Sequence, residues 1–215
     1  MNVLLYDLII EYGRVIALVK SCSVVLKSVT RERHYRPVFK PVTLSAIPGD
    51  VWHVQGLNGA GKTSLLKIIA GISHHTGQCH VSGGVVYSGH EPCVYGHFDV
   101  IENLNYTTLN AQHYSTQHWI EQCAIWQLPE RRSARQLSAG QRQALNLLRI
   151  IHSGAGCWLL DESTQCLDVD KAQLWAQACQ QHVQAGGVIF LTTHMAQDLL
   201  LSMVTQRITL EAMHV

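Results

Sequence analysis

One stretch restricts the folds open to this chain more than any other. Gly56, Leu57, Asn58, Gly59, Ala60, Gly61, Lys62 and Thr63 fit the pattern G-x-x-x-x-G-K-[ST]. They stand between an alternating apolar run, Val51 to Gln55, and a helical pattern from Ser64 to Ala70 that Gly71 stops. A strand that feeds a glycine loop and then a helix aims several backbone N–H groups and the positive end of the helix at one point, which is a cradle for phosphate oxygens. In that geometry Lys62 is placed for the β- and γ-phosphates of a nucleotide, Thr63 for a Mg²⁺ ion, and Asn58 or Ser64 for further contacts.

The rest of the chain alternates in the same way. Val24 to Val29 and Val42 to Ile47 read as short strands on either side of a basic connection, with Pro48-Gly49-Asp50 as a turn. Gly83 to Tyr87, Cys157 to Leu160 and Val188 to Thr192 read as further strands. Pro92 and Gly96 mark a loop, and from Asn103 to Ile151 the pattern turns helical. Trp119, Ile120, Cys123 and Trp126 fall on one face there, and Leu145, Leu148 and Ile151 on another. Ala172, Trp175, Ala176, Cys179 and Val183 mark one more amphipathic helix. This order predicts an α/β domain with a mostly parallel sheet and a small helical subdomain at about residues 92–151, its ligand lying at the carboxyl ends of the strands.

Composition narrows the class further. The 215 residues suffice for one sizeable core and one compact domain. A net charge of +1 supplies no overall field for nucleic acid or an anionic membrane, so no nucleic-acid partner is expected. The charged fraction of 14%, against roughly 25% in an ordinary soluble domain, points to a surface partly covered by a partner. Seven scattered cysteines without a C-x-x-C pair fit a reducing cytosol, and thirteen histidines without H-E-x-x-H suggest no dedicated metal cluster. No uncharged apolar run approaches the roughly 20 residues of a membrane-spanning helix. Residues 1–22 read as an amino-terminal extension of unknown role, interrupted by Asp7, Glu11, Arg14 and Lys20 and lacking the basic start of a secretion signal. The main domain is then 23–215.

Two more phrases carry chemistry. Cys157-Trp-Leu-Leu-Asp161-Glu162 looks like a Walker B strand that delivers Asp161 to a magnesium shell and sets Glu162 beside the γ-phosphate as candidate general base. Leu137-Ser-Ala-Gly-Gln141 is a short turn at a helix start that offers a hydroxyl and backbone donors to a phosphate. With this phrase the sequence resembles the ATP-binding cassette (ABC) family, whose signature is usually L-S-G-G-Q, so Ala139 is a mild departure. The resemblance implies a P-loop NTPase with a RecA-like core, binding ATP and Mg²⁺. It also implies a head-to-tail dimer of two copies, in which Ser138, Gly140 and Gln141 of one copy face the phosphate loop of the other.

Further landmarks follow by the same resemblance. Gln165-Cys-Leu167-Asp168 stands at the D-loop, and Thr192-Thr-His194 resembles the switch histidine, so the catalytic set is Lys62, Glu162 and His194. Glu91 in Ser88-Gly-His-Glu91-Pro takes the place of the Q-loop glutamine near Mg²⁺, and Ser163 that of a frequent proline. Tyr35 is the nearest candidate for the aromatic that stacks on adenine. Arg31, Arg33, Arg36 and Lys40 read as a solvated basic face.

Within the family, phrases such as Tyr87-Ser-Gly-His-Glu, Leu167-Asp-Val-Asp and Gly187-Val-Ile-Phe-Leu-Thr-Thr-His resemble the ATPases of haem exporters for cytochrome c maturation. That resemblance implies a peripheral subunit on the cytoplasmic face of a bacterial inner membrane, or on the matrix side of a mitochondrial one. Its partners would be an integral membrane permease and a haem-handling membrane protein, and ATP hydrolysis would release a haem-loaded chaperone. The alternatives are the ATPase of another small exporter, a soluble cassette clamp, or a subunit that binds ATP without hydrolysing it.

Overall fold

The computed structural model describes residues 21–33, 36–106, 114–163, 166–193 and 199–213. The chain opens with β1 (Ser23–Thr30), a small hairpin of β2 (Glu32–Arg33) and β3 (Arg36–Pro37), then β4 (Val42–Ala46) and β5 (Val51–Gln55). Helix α1 (Lys62–Ile69), β6 (Thr76–Ser82) and β7 (Val85–Ser88) follow, then α2 (Val100–Tyr106), α3 (Thr116–Ile125) and α4 (Ala139–Ile151). The last elements are β8 (Cys157–Asp161), α5 (Val169–Gln184), β9 (Val188–Thr192) and β10 (Gln206–Thr209).

Five of the strands form a parallel sheet in the order β10-β5-β9-β8-β7. Its central strands β8 and β9 are buried at every residue, as parallel strands covered on both faces are. Side chains two apart share a face, and the sheet divides accordingly. Cys157, Leu159, Val188 and Phe190 pack with Leu65, Leu66, Ile68 and Ile69 of α1, while Trp158, Leu160, Ile189 and Leu191 pack with α4, α5 and the helices before them. On that second face Trp158 stacks on Trp175 at 5.4 Å between ring centroids.

The sheet is not the whole β-structure. β4, β1 and β6 form a separate antiparallel sheet, which covers the α1 side of the core through Val24, Leu26, Leu44 and Ala46. The expected parallel sheet is present, and this antiparallel sheet stands beside it. β6 carries Thr76-Gly-Gln-Cys-His-Val-Ser82, largely exposed, so it lacks the apolar alternation by which a strand is read from sequence.

Among the described residues the helical stretch holds the α-helices α2, α3 and α4, and it begins at Val100. Trp119, Cys123 and Trp126 are buried as their spacing predicts, with Leu145 and Leu148 of α4 in the same core, and Ile120 is half-buried at its edge. Among the described residues no helix is long and apolar enough to cross a membrane.

Candidate nucleotide site

β5 ends at Gln55, and the loop that follows turns directly into α1. Gly61 stands at the amino-terminal cap of α1 with φ +96° and contributes no side-chain hydrogen bond, and no acidic residue occupies the first turn. The first N–H groups of the helix are thus left for a ligand, and an anion complements them. Lys62 lies back across the loop, its Nζ donating to the carbonyls of Gly56 at 2.8 Å and Leu57 at 3.2 Å. Ala60 is buried, its N–H donating to the Leu57 carbonyl at 3.0 Å, so the middle of the loop is tied to the protein while Asn58 and Gly59 stay exposed.

Gly61 is required on two counts. Its φ is left-handed, and a Cβ there would stand 2.5 Å from the Phe39 ring. Phe39 is fully buried and its carbonyl accepts from Thr30 Oγ1 at 2.6 Å, so the ring has no room to retreat. Gly61→Ala is expected to lower stability by about 1–3 kcal/mol and, if the loop N–H groups hold a phosphate, to weaken nucleotide binding at least about tenfold through loss of charge-assisted bonds. Urea unfolding and an ATP titration check the two effects separately.

The parallel sheet brings the second half of the site to the same edge. β9 separates β5 from β8, and neighbouring strands lie about 4.8 Å apart, so the phosphate loop and Asp161 flank the end of β9. Asp161 is 6% exposed. Its Oδ1 accepts from Thr192 Oγ1 at 2.6 Å and its Oδ2 from the Tyr87 hydroxyl at 3.1 Å. Burial and the Asp161 charge push the Tyr87 phenol well above its ordinary range, so it remains a donor. A carboxylate has about four acceptor positions, and these two bonds fix the group while leaving capacity for a cation.

Glu162 follows with φ +58°, a left-handed conformation uncommon outside glycine that turns the chain sharply off the strand. Its N–H donates to the Thr192 carbonyl at 3.1 Å, and its carboxylate lies 3.8 Å from Nδ1 of His90. Between these elements is a cavity of about 940 Å³, lined by Arg31, Arg33, Val38, Asn58, Gly59, Gly61, Lys62, Thr63, Ser64, Asp161 and Glu162. The fold therefore brings Asn58, Gly59, Gly61, Lys62, Thr63 and Ser64 of the loop together with Asp161 and Glu162 around one cavity.

Others lie elsewhere. Ser138, Gly140 and Gln141 stand at the start of α4 and line no part of this cavity. They form a reciprocal cap in which Gln141 N–H donates to Ser138 Oγ at 3.2 Å and Ser138 N–H to Gln141 Oε1 at 3.0 Å. A Cβ on Gly140 would stand 2.8 Å from the Cys166 carbonyl, which keeps the turn close to the chain after β8. α4 reaches the rest of the site through two amides: Gln143 Nε2 donates to the Ser163 carbonyl at 2.5 Å, and Asn146 Nδ2 to Ser88 Oγ at 2.9 Å. Glu91 is exposed and is not among the cavity-lining residues. His194, Gln165 and Tyr35 lie outside the described residues.

Four contributors were not singled out as site residues from sequence. Tyr87 and Thr192 hold Asp161 from neighbouring strands, β7 and β9, and no local pattern announces such a pairing. Arg31 and Arg33 line the cavity, where the sequence reading had made them part of a solvated face.

Comparison with known proteins decides the family. The ABC transporter family model matches residues 39–165, more than half of the chain. The chain belongs to the ABC transporter family. As an ABC domain it carries a nucleotide-binding site. It is also similar to curated relatives named cytochrome c biogenesis ATP-binding export protein CcmA. One, from Xanthomonas axonopodis pv. citri (strain 306), is 36% identical over 175 residues, covering 75% of this chain and 82% of the relative. Another, from Shewanella frigidimarina (strain NCIMB 400), is 32% identical over 194 residues, 83% of this chain and 89% of the relative. A third, from Idiomarina loihiensis (strain ATCC BAA-735 / DSM 15497 / L2-TR), is 32% identical over 198 residues, 82% and 87% respectively.

Proposed function

We propose that this chain is the ATP-hydrolysing subunit of a haem-export complex in cytochrome c biogenesis, coupling hydrolysis to release of a haem-loaded periplasmic chaperone. The observation that carries the ATPase part is the convergence of Lys62, Thr63, Asp161 and Glu162 on one cavity. The haem-export part rests on the likeness to the CcmA proteins, which covers more than four fifths of their length.

In this reading the loop N–H groups and Lys62 bind the phosphates, and Thr63 with Asp161 would hold Mg²⁺. The ion supplies neutralisation of the charge that builds on the transferring phosphoryl group. Tyr87 and Thr192 fix the orientation of Asp161. Glu162 orients the attacking water and accepts its proton, and His194 contacts the γ-phosphate. Ser138, Gly140 and Gln141, which line no part of their own cavity, serve the cavity of a second copy in a head-to-tail dimer. Leu57 and Val169, 81% and 72% exposed, are apolar residues that such a partner would cover. Glu91, one residue beyond the His90 that faces Glu162, lies at the joint with an integral membrane permease, and a haem-handling membrane protein completes the assembly on the cytoplasmic face of the inner membrane.

The test is complementation in a bacterium that lacks its own equivalent ATPase, read as haem-stained c-type cytochromes. The wild-type chain should restore them and the Glu162→Gln chain should not. The Glu162→Gln chain should also retain the permease and the haem-handling protein when purified from membranes in mild detergent with ATP. Cytochromes restored equally by both chains, or retention of soluble proteins alone, would overturn the assignment.

A further inference from the structure

Arg31 and Arg33 lie on a hairpin that the fold presses against the phosphate loop. The Val38 N–H donates to the Arg31 carbonyl at 2.8 Å, closing β2 onto β3, and the next residue, Phe39, packs against Gly61. Alternation along this extended segment puts Arg31 and Arg33 on one side and Glu32 on the other. Both arginines line the nucleotide cavity. Arg31 Nη1 donates to Ser64 Oγ at 3.2 Å, and Ser64 directly follows Lys62 and Thr63. Neither guanidinium forms an ion pair with a described residue.

The cavity therefore has two chemically different walls. Asp161 and Glu162, with Lys62, mark the end that takes the terminal phosphate. The hairpin wall carries two guanidinium groups with no carboxylate partner among the described residues, and Val38, and it is left for the part of the ligand that remains, the α-phosphate and the base. A guanidinium offers a planar fork of donors to a phosphate and a flat face to an aromatic ring. We infer that Arg31 and Arg33 form a nucleotide clamp, Arg31 binding the α-phosphate beside Ser64 and Arg33 stacking its guanidinium plane on the nucleobase.

This clamp rests on the ATP-binding reading above, and its test separates the two. Equilibrium titrations of the full chain with ATP and with inorganic tripolyphosphate, which has no base, read the two arginines independently. Arg31→Ala should weaken both ligands by about tenfold to a hundredfold, the worth of a charge-assisted hydrogen bond. Arg33→Ala should weaken ATP by about threefold to thirtyfold and leave tripolyphosphate within about twofold of wild type. Arg33→Tyr should restore ATP affinity and Arg33→Lys should not, because an ammonium has no flat face. Thermal melting of each variant separates lost binding from lost folding, and Arg31→Lys, which keeps the charge on a similar stem, serves if Arg31→Ala does not fold. Unchanged ATP affinity in either alanine variant overturns the clamp. So does equal weakening of ATP and tripolyphosphate by Arg33→Ala, which would reduce that residue to a charge. A wild-type chain that binds no ATP overturns the function itself.

Discussion

Replacing Glu162 with glutamine is expected to slow steady-state ATP hydrolysis by about 10²- to 10⁴-fold, the usual worth of a positioned general base, while ATP binding is kept or strengthened. The substitution keeps size and hydrogen-bonding reach but removes the ability to take a proton from water. It should not disturb the fold, because the bond that fixes residue 162 is its backbone N–H to Thr192, which glutamine retains. The side chain is 26% exposed, so an uncharged amide there carries little desolvation cost. Binding should improve because a negative charge is removed beside the γ-phosphate. Phosphate release and nucleotide affinity measured on the same preparation decide it, and equal hydrolysis rates would remove Glu162 as the base. The effect at Asp161 should differ in kind. Asp161→Ala would strip Tyr87 and Thr192 of their acceptor and so affect Mg²⁺-dependent binding as well as rate.

These positions were legible in sequence because their chemistry is local. The spacing of Gly56, Gly61, Lys62 and Thr63 belongs to one loop, and Asp161 and Glu162 end one apolar strand, so a short window contains the whole signal. β5 and β9 were legible down to their end residues for the same reason, each a bounded run with β-branched or aromatic side chains. β6 and β10 were not. Their exposed, polar residues take part in sheets through backbone bonds that any sequence makes. Helix α1 begins at Lys62 rather than Ser64, because the left-handed Gly61 lets the loop close straight into the helix. The hairpin arginines show the deeper limit. Two cations spaced two apart look the same on a solvated face as on a cavity wall, and only the packing of Phe39 against Gly61, which brings distant segments together, tells which applies. Tyr87 is hidden likewise: β7 and β8 are neighbours in the sheet, but the two bonded residues are 74 positions apart in the chain.

Acid is expected to destabilise this domain progressively from pH 6.5 downward, through two histidines the ATP site does not use. His152 is 4% exposed in the core between α3 and α4, and His182 is 2% exposed, stacked on Trp158 at 3.9 Å between centroids. Burial lowers both from 6.5 to about 4. The Leu148 carbonyl can only accept, so the hydrogen of neutral His152 sits on Nδ1, 2.9 Å away, and its bare Nε2 accepts from Nε2 of His118 at 3.1 Å. A second proton on His152 would set two N–H groups head to head, with the rings of Tyr114 and Trp119 packed around them. The sign follows from proton counts. Between pH 6.5 and about 4 the unfolded chain binds a proton at each site and the native chain does not, so stability is complete above pH 6.5 and falls as the pH drops. Each histidine costs about 3 kcal/mol by pH 4, so the pair removes about 6 of the 5–15 kcal/mol that holds an ordinary domain. Asp168, whose carboxyl Lys171 lowers below 3.8, loses its contribution only under more acid conditions and leaves this window clear. Urea midpoints taken from pH 7 to pH 4 should fall steadily. His182→Phe, which keeps a ring on Trp158 and cannot be protonated, should show about half the slope whatever its stability at pH 7. A midpoint that stays level down to pH 4.5 would mean that these histidines are hydrated, and that the core around them is less closed than their burial indicates.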